Sequence, residues 1–407
     1  MSEEHEPGSL DEAIPGQRLT TAQGTVYRVR RDYPVGHHYG GWPLEQARGV
    51  PGSTLAALAR DDGLSSLTLD QVCFLDTETT GLAGGTGTYV FLVGVGSFSG
   101  DFFRVDQFFM EDFDQEPALI ATLAEFLEGF RGVVSFNGKA FDLPLLETRF
   151  ILSRRRSPLG GRPHLDLLAS ARRLWGARLE SCRLVALEEA ILGETRVGDI
   201  PGYLVPEFYF RYLRTKDPEI VRPIFEHNRQ DVLSLLALAG RAAHRYEAFL
   251  EDPPRESGVP SLDLFGLARL YSALGRHEPS VRCYLACLDA GPPDHIEARA
   301  GLECVRSLRR LGRTPEAIRL CEKLADGPPH RLWALVELAK ELEHRARDYE
   351  RALSVVDRAL GLLDTGGAIP PALASALLWR RGRLEGKLEA FSASRSRFAA
   401  GRAPGTR

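Results

Sequence analysis

The sequence predicts an α/β domain built on a mixed sheet, followed by an all-α solenoid. Three observations carry this. Strand-like segments between Leu67 and Met110 are followed by helix and strand in alternation. A Pro/Gly-rich, apolar-poor stretch, Glu251–Pro260, then interrupts the chain. Beyond it, three similar segments recur at intervals of 37 and 35 residues, beginning at Gly275, Gly312 and Arg347.

Taken in order, residues 1–24 are polar, with Gly, Pro and Glu, and are expected to form a loose arm. Thr25–Tyr33 (TVYRVRRDY) alternates apolar and polar residues as a strand does, and opens a domain expected over residues 25–250, with its core at about 68–245. The runs LTLDQVCFLDTETTGL, YVFLVGVGSF and FFRVDQFFM are separated by Gly-rich or Gly/Asp turns and predict an antiparallel meander. Glu116–Phe130 has helical spacing, VVSF (Val133–Phe136) is a short apolar strand, and a helix is expected from about Phe141 to Leu152. Helices are also expected over 183–193 and 218–245. Residues 251–260 are expected as a linker, and 261–407 as helix pairs similar to tetratricopeptide repeats, in which GRHEPSVRCYLACL, GRTPEAIRLCEKLA and RDYERALSVVDRAL are the second helices.

Composition narrows the function classes. Hydrophobic residues make up 43% and charged residues 26% of 407, which excludes disordered and fibrous chains. No apolar run reaches the roughly 18 residues of a membrane helix, and the acidic N-terminus is unlike a secretory signal, so a cytoplasmic protein with no membrane partner is expected. The six cysteines form no CxxC pair and are read as reduced, apolar residues; no zinc site is expected. The net charge of -4 is unevenly spread: from Gly258 onward basic residues outnumber acidic ones 24 to 18, whereas the remainder has 27 against 37. An acidic half that meets an acidic ligand needs cations between them.

The chemistry concentrates in VCFLDTETTGL. On a strand, Asp76 and Glu78 stand at i and i+2 and share one face, with Thr77 on the other. Such a pair repels itself unless a cation sits between, and oxygen-only donors select Mg²⁺ or Mn²⁺ over zinc. A third carboxylate, Asp142, follows the Asn137-Gly138 turn at the start of the next helix. His227 and Asp231 then stand four apart on a late helix and share a face. Each has a simpler reading by itself: solvated strand-end acids, dipole complementation at a helix start, a surface His–Asp pair. The combination is what singles them out. GLAGGTGT (Gly81–Thr88) lacks the G-K-[ST] ending of a phosphate loop and is read as a hairpin connection. Asp166 in PHLDLL is read as a helix cap, and Arg154–Arg156 either as a solvated loop or as phosphate contacts.

This pattern resembles the DEDD superfamily of ribonuclease H-like exonucleases. More closely, DTETTGLAGGTGTYVFLVGVG, SFNGKAFDLPLL, PHLDLL, SCRLVALEEAILG, GDIPGYLVPEFYFRYL and HNRQDVLSLLAL together resemble the YprB-type ribonuclease H-like proteins over residues 25–245. The resemblance implies a ribonuclease H-like domain and a metal-dependent 3′–5′ exonuclease acting on DNA or RNA, at single strands or 3′ ends. It implies Asp76, Glu78, Asp142 and Asp231 as ligands of two divalent cations, Mg²⁺ or Mn²⁺. His227 would either accept the proton of the attacking water or orient that water, Leu82 and Phe141 would border the nucleotide, and Thr77 and Asn137 are the further substrate-binding candidates. One departure is visible: the superfamily places Tyr four residues, or His five, before its last Asp, and this chain has His at the Tyr spacing. The competing reading is a non-catalytic scaffold that binds nucleic acid or protein, with the repeats as the seat of a protein partner. The complete set of four carboxylates favours the enzyme.

Overall fold

A computed structural model describes residues 9–81, 85–251, 257–327, 331–363 and 371–400. The chain divides into two compact units, Met1–Glu256 and Ser257–Arg407, and the division falls inside the Pro/Gly-rich stretch.

The first unit is organised by a seven-stranded sheet. In chain order its strands are β1 (Gln17–Thr21), β2 (Gly24–Pro34), β5 (Val72–Thr79), β6 (Val90–Ser99), β7 (Phe102–Phe109), β8 (Gly132–Ser135) and β9 (His164–Asp166). A separate pair, β3 (His38–Tyr39) and β4 (Trp42–Pro43), lies between β2 and β5. The order across the sheet is β1-β2-β7-β6-β5-β8-β9. β5, β6 and β7 form the expected antiparallel meander, whereas β5, β8 and β9 run parallel. β5 is therefore where the sheet changes sense. It is buried along nearly its whole length, as a near-continuous apolar run permits. Its pairing with β8 ends at Phe74↔Val134, so Asp76 and Glu78 lie beyond the last β8 rung. Crevices at such switch points, outside the carboxyl ends of parallel strands, are where α/β sheets bind ligands.

The helices that frame this crevice are Glu116–Leu127, Asp142–Leu152, Leu167–Leu174, Val205–Thr215 and the 27-residue Arg222–Ala248. Two glycines of β6 let the longest of them approach. A Cβ on Gly94 would stand 2.3 Å from the Asn228 side chain, and one on Gly96 would meet Phe103 at 2.4 Å and Val232 at 2.7 Å. Opposite, Phe91 stacks on Tyr209 with ring centroids 3.8 Å apart, inside an apolar cluster that includes Val93, Phe108, Leu119 and Leu123.

Three expectations differ from the fold. Part of the segment expected as a loose arm is ordered: Leu10–Ala13 is a helix with a Ser9/Glu12 capping box, and Gln17–Thr21 is β1. Leu10 and Ile14, four apart, are buried together, and the Tyr27 hydroxyl donates to the Ile14 carbonyl at 2.5 Å. The helix expected over 183–193 is α-helical only at Leu184–Leu187 and continues as a π turn, Glu188–Leu192. The one expected over 218–245 opens with the 3₁₀ turn Pro218–Ile220 before Arg222–Ala248 begins.

The second unit is helical throughout its described residues. Ser261–Ala273 and His277–Asp289 are followed by Asp294–Arg310 and Thr314–Ala325, then by Arg331–Glu341 with its π extension Leu342–Ala346, Tyr349–Leu363 and Pro371–Ala400. Each helix packs on the next. The turn inside each pair passes through a left-handed residue, Gly275 and Gly312 at φ 71° and Arg347 at φ 58°, so the recurring segments share a backbone device. Cys283, Cys287, Cys304 and Cys321 are buried thiols among these helices. Buried Glu343 is held by Arg380, Arg383 and Lys387, which ties the last helix to the π turn. Among the described residues no helix is long and apolar enough to cross a membrane.

Candidate active site

Asp76 is reached from two directions. Asn228, fully buried on the long helix, donates from Nδ2 to Asp76 Oδ2 at 2.8 Å, while its Oδ1 accepts from Gln107 Nε2 of β7 at 2.9 Å. Gln107 also donates to the Phe225 carbonyl at 2.8 Å. This chain from β7 through the helix to β5 fixes the carboxylate, and it works because Gly94 leaves room for Asn228. Sequence reading missed both residues; the available signal was the Gly94-Val95-Gly96 run, which marks a close approach without naming the partner.

Asp142 is the first residue of its helix, and its Oδ1 accepts from the Thr77 hydroxyl at 2.5 Å. Thr77 does alternate with Asp76 and Glu78 along β5, but its hydroxyl serves the third carboxylate: the residue between the acids holds Asp142. The loop leading to Asp142 is held by Asp166, whose Oδ1 accepts from the Asn137 amide at 2.9 Å and whose Oδ2 accepts from the Lys139 amide at 3.2 Å. The same side chain caps the helix Leu167–Leu174 through the Leu168 amide, as expected of it. Asn137 sits at φ 61°, a left-handed conformation that Asn tolerates.

His227 and Asp231 share a helix face, with His227 Nε2 3.7 Å from Asp231 Oδ2 and 3.9 Å from Glu78 Oε1. The other ring nitrogen, Nδ1, is 2.8 Å from Asp199 Oδ1. Arg196, only 3% exposed, bonds Glu188, Asp199 and Asp231 at once. The sequence blocks SCRLVALEEAILG and GDIPGYLVPEFYFRYL hold Glu188 and Asp199 but give neither a role, and no sequence pattern marks Arg196.

One cavity of about 830 Å³ gathers most of these residues. Asp76, Thr77, Asn137, Phe141, Asp142 and Asp231 line it, with Phe136, Arg172, Cys182 and Arg183 on its walls. Glu78 and His227 stand together and do not line it, nor does the Arg154–Arg156 run. Leu82 lies outside the described residues.

A family model described as RNase_H superfamily matches residues 73–243, which contain every one of the residues above. A protein of Bacillus subtilis (strain 168), the uncharacterized protein YprB, is 30% identical over 338 residues, 81% of this chain and 79% of that protein. The chain belongs to the RNase H superfamily. Its mixed sheet, with carboxylates at the switch strand, is the fold that the resemblance implied.

The electrostatics of this RNase H-like site are unbalanced. Burial, followed by the charges of Asp231, Glu78 and Asp142, pushes the Asp76 carboxyl well above the usual range. Burial raises Glu78 to about 8 against the pull of His227, and raises Asp142 to about 6 against its hydrogen bond from Thr77. Burial acts to lower His227, but the Asp199 hydrogen bond and the charges of Asp231 and Glu78 prevail and raise the imidazole to about 10.

The donors fit divalent cations in their chemistry. They are hard carboxylate oxygens, and among the described residues neither Asp76 nor Asp142 has an ion-pair partner, the imbalance that a bound cation relieves. As the side chains are placed, no three of the described Asp, Glu, His or Cys groups already surround one ion position, and an oxygen of Asp231 is held by Arg196. Asp76, Glu78, Asp142 and Asp231 are carboxylates that could hold such cations.

Proposed function

We propose that this protein is a metal-dependent nuclease that hydrolyses phosphodiester bonds of nucleic acid from 3′ ends, with Asp76, Glu78, Asp142 and Asp231 as ligands of two Mg²⁺ or Mn²⁺ ions. The observation that carries the proposal is the meeting of Asp76, Asp142 and Asp231, from three separate elements, at one cavity whose walls supply Phe136 and Phe141 for stacking and Arg172 and Arg183 for phosphate. Among the described residues, neither of those arginines has a carboxylate partner. Bound at the carboxylates, the cations would bring water to a pKa near neutrality and offset charge on the leaving 3′ oxygen.

The chain's own groups have separable tasks. Asn228 and Thr77 orient Asp76 and Asp142, and Asp166 holds the loop between them. Asp199 accepts a hydrogen bond from the Nδ1–H of His227, which leaves Nε2 as the atom that accepts a proton at the reaction centre. The Asp199 hydrogen bond and the nearby acids Asp231 and Glu78 raise the imidazole; cations held at those two carboxylates would offset that pull and let Nε2 accept a proton. The helical unit, whose pairs are TPR-like in period and carry the basic excess, is assigned to holding the nucleic acid or a protein partner.

One observation favours the non-catalytic scaffold: Arg196 already neutralises part of Asp231. Digestion of end-labelled single-stranded DNA and RNA with Mg²⁺, Mn²⁺ or EDTA decides between the two. The expected result is stepwise shortening from the 3′ end with either metal and none in EDTA. Intact substrates under all three conditions, with retained binding, would establish the scaffold.

A further inference from the structure

The RNase H-like site contains a buried cation of its own. Arg196 Nη2 donates to Glu188 Oε1 at 2.5 Å and Nε to Glu188 Oε2 at 2.7 Å, a fork on a carboxylate with no exposed surface. The Ser234 hydroxyl donates to that same carboxylate. Nη1 reaches Asp199 Oδ2 at 3.0 Å, and Nη2 also donates to Asp231 Oδ1. A structural ion pair requires one carboxylate, and Glu188 supplies it. The other two bonds go to residues that face the reaction centre: Asp231 directly, and Asp199, which holds His227 Nδ1 at 2.8 Å. The four bonds to these three carboxylates, two of them a fork on Glu188, exceed the three donors of an ammonium and suit the planar guanidinium. Glu188 opens a π turn, a local irregularity frequent at functional sites, and this turn places its carboxyl under the long helix.

We propose that Arg196 is the positioning residue of this site: anchored on Glu188, it fixes Asp231 and Asp199, through Asp199 it fixes the His227 ring, and its charge competes with divalent cations for Asp231. The proposal rests on the metal-site reading above, so its test includes measurements that need no turnover. The first variant pairs Arg196→Gln with Glu188→Gln in the full chain, removing both buried charges together, with circular dichroism as the fold check. Mn²⁺ affinity, measured by calorimetry, is expected to rise about tenfold as the competing charge leaves, while kcat falls by about 10- to 100-fold at unchanged KM. A residue with a merely structural role would lower both or move neither, and either outcome overturns the proposal.

Two milder variants hold the test open if the double one does not fold. Arg196→Lys keeps a charge near Asp231 but loses the fork, so Mn²⁺ affinity should stay within about twofold while kcat still falls. Asp199→Asn should shift the ¹⁵N signals of the His227 ring at fixed pH with Mn²⁺ affinity within about twofold of wild type; unmoved imidazole signals overturn the positioning claim. Absence of Mn²⁺ binding by the wild-type chain would sink the metal-site reading and the competition with it. Shifted imidazole signals in Asp199→Asn would in that case still support the positioning of His227.

Discussion

Asp76→Asn and Asp142→Asn are each expected to lower the rate of single-strand digestion by more than about 10²-fold, exceeding what loss of an outer-shell partner typically costs at a metal site. Each carboxylate is held by its own device, Asn228 on Asp76 and Thr77 on Asp142, so a carboxamide would keep the shape and lose the charge. The same substitutions should leave the fold intact and raise Tm in EDTA, because a buried, repelled carboxyl is removed from each. Thermal melts across pH give an independent reading. Glu78, raised from 4.5 to about 8, retains in the folded chain a proton that the unfolded chain has already released, so its contribution to stability is lost as pH rises between those values. His227, raised from 6.5 to about 10, adds a fall of the same sign over its own range. Tm in EDTA should therefore decrease from about pH 5 to about pH 9, and Glu78→Gln should flatten the lower part of that slope. Wild-type turnover in either Asp variant would remove that residue from the site; a Tm in EDTA that rises with pH would contradict the burial of these groups.

His227→Ala is the second large effect. A positioned proton acceptor contributes about 10² to 10⁴ in rate, and the ring is placed for that role with Nδ1 on Asp199 and Nε2 toward Glu78 and Asp231. Loss should appear in kcat, with Mn²⁺ affinity changed much less, since none of the four proposed ligands is altered. His227→Tyr should recover part of the rate, because the DEDD exonucleases that the sequence resembles include a subgroup with Tyr at this spacing from the last Asp. Kinetics unchanged in His227→Ala between about pH 6 and about pH 9 would reduce the residue to the partner of Asp199.

Strands β2, β5, β6, β7 and β8, most of the helices and the spacing of the four carboxylates were legible because each rests on a local pattern. Period-two alternation marks β2, a continuous apolar run marks β5 as a central strand, and i,i+4 spacing places His227 with Asp231. The ordered N-terminal segment was not legible, since Leu10, Ile14 and Leu19 are isolated apolar residues in a polar stretch and join the core only through contacts with distant elements such as the Tyr27 hydroxyl on the Ile14 carbonyl. Thr77 was legible in its alternation and illegible in its task, because its partner lies 65 residues away.

The sequence by itself determined that a strand D-x-E, a helix-start Asp and a helical H-x-x-x-D exist in one chain, and that glycine alone occupies positions 94 and 96 of β6. Tertiary structure decided what those residues do. It brought Asn228 to Asp76 and Arg196 to Asp231 across the face of the long helix, and Asp166 at the end of β9 to the Asn137 loop that follows β8. The physical reason is that periodicity reports which face a residue occupies, whereas hydrogen bonds and buried charges are settled by which faces meet. Arg196 is the clearest case: in sequence it is one arginine among 46, and in the fold it is buried against three carboxylates.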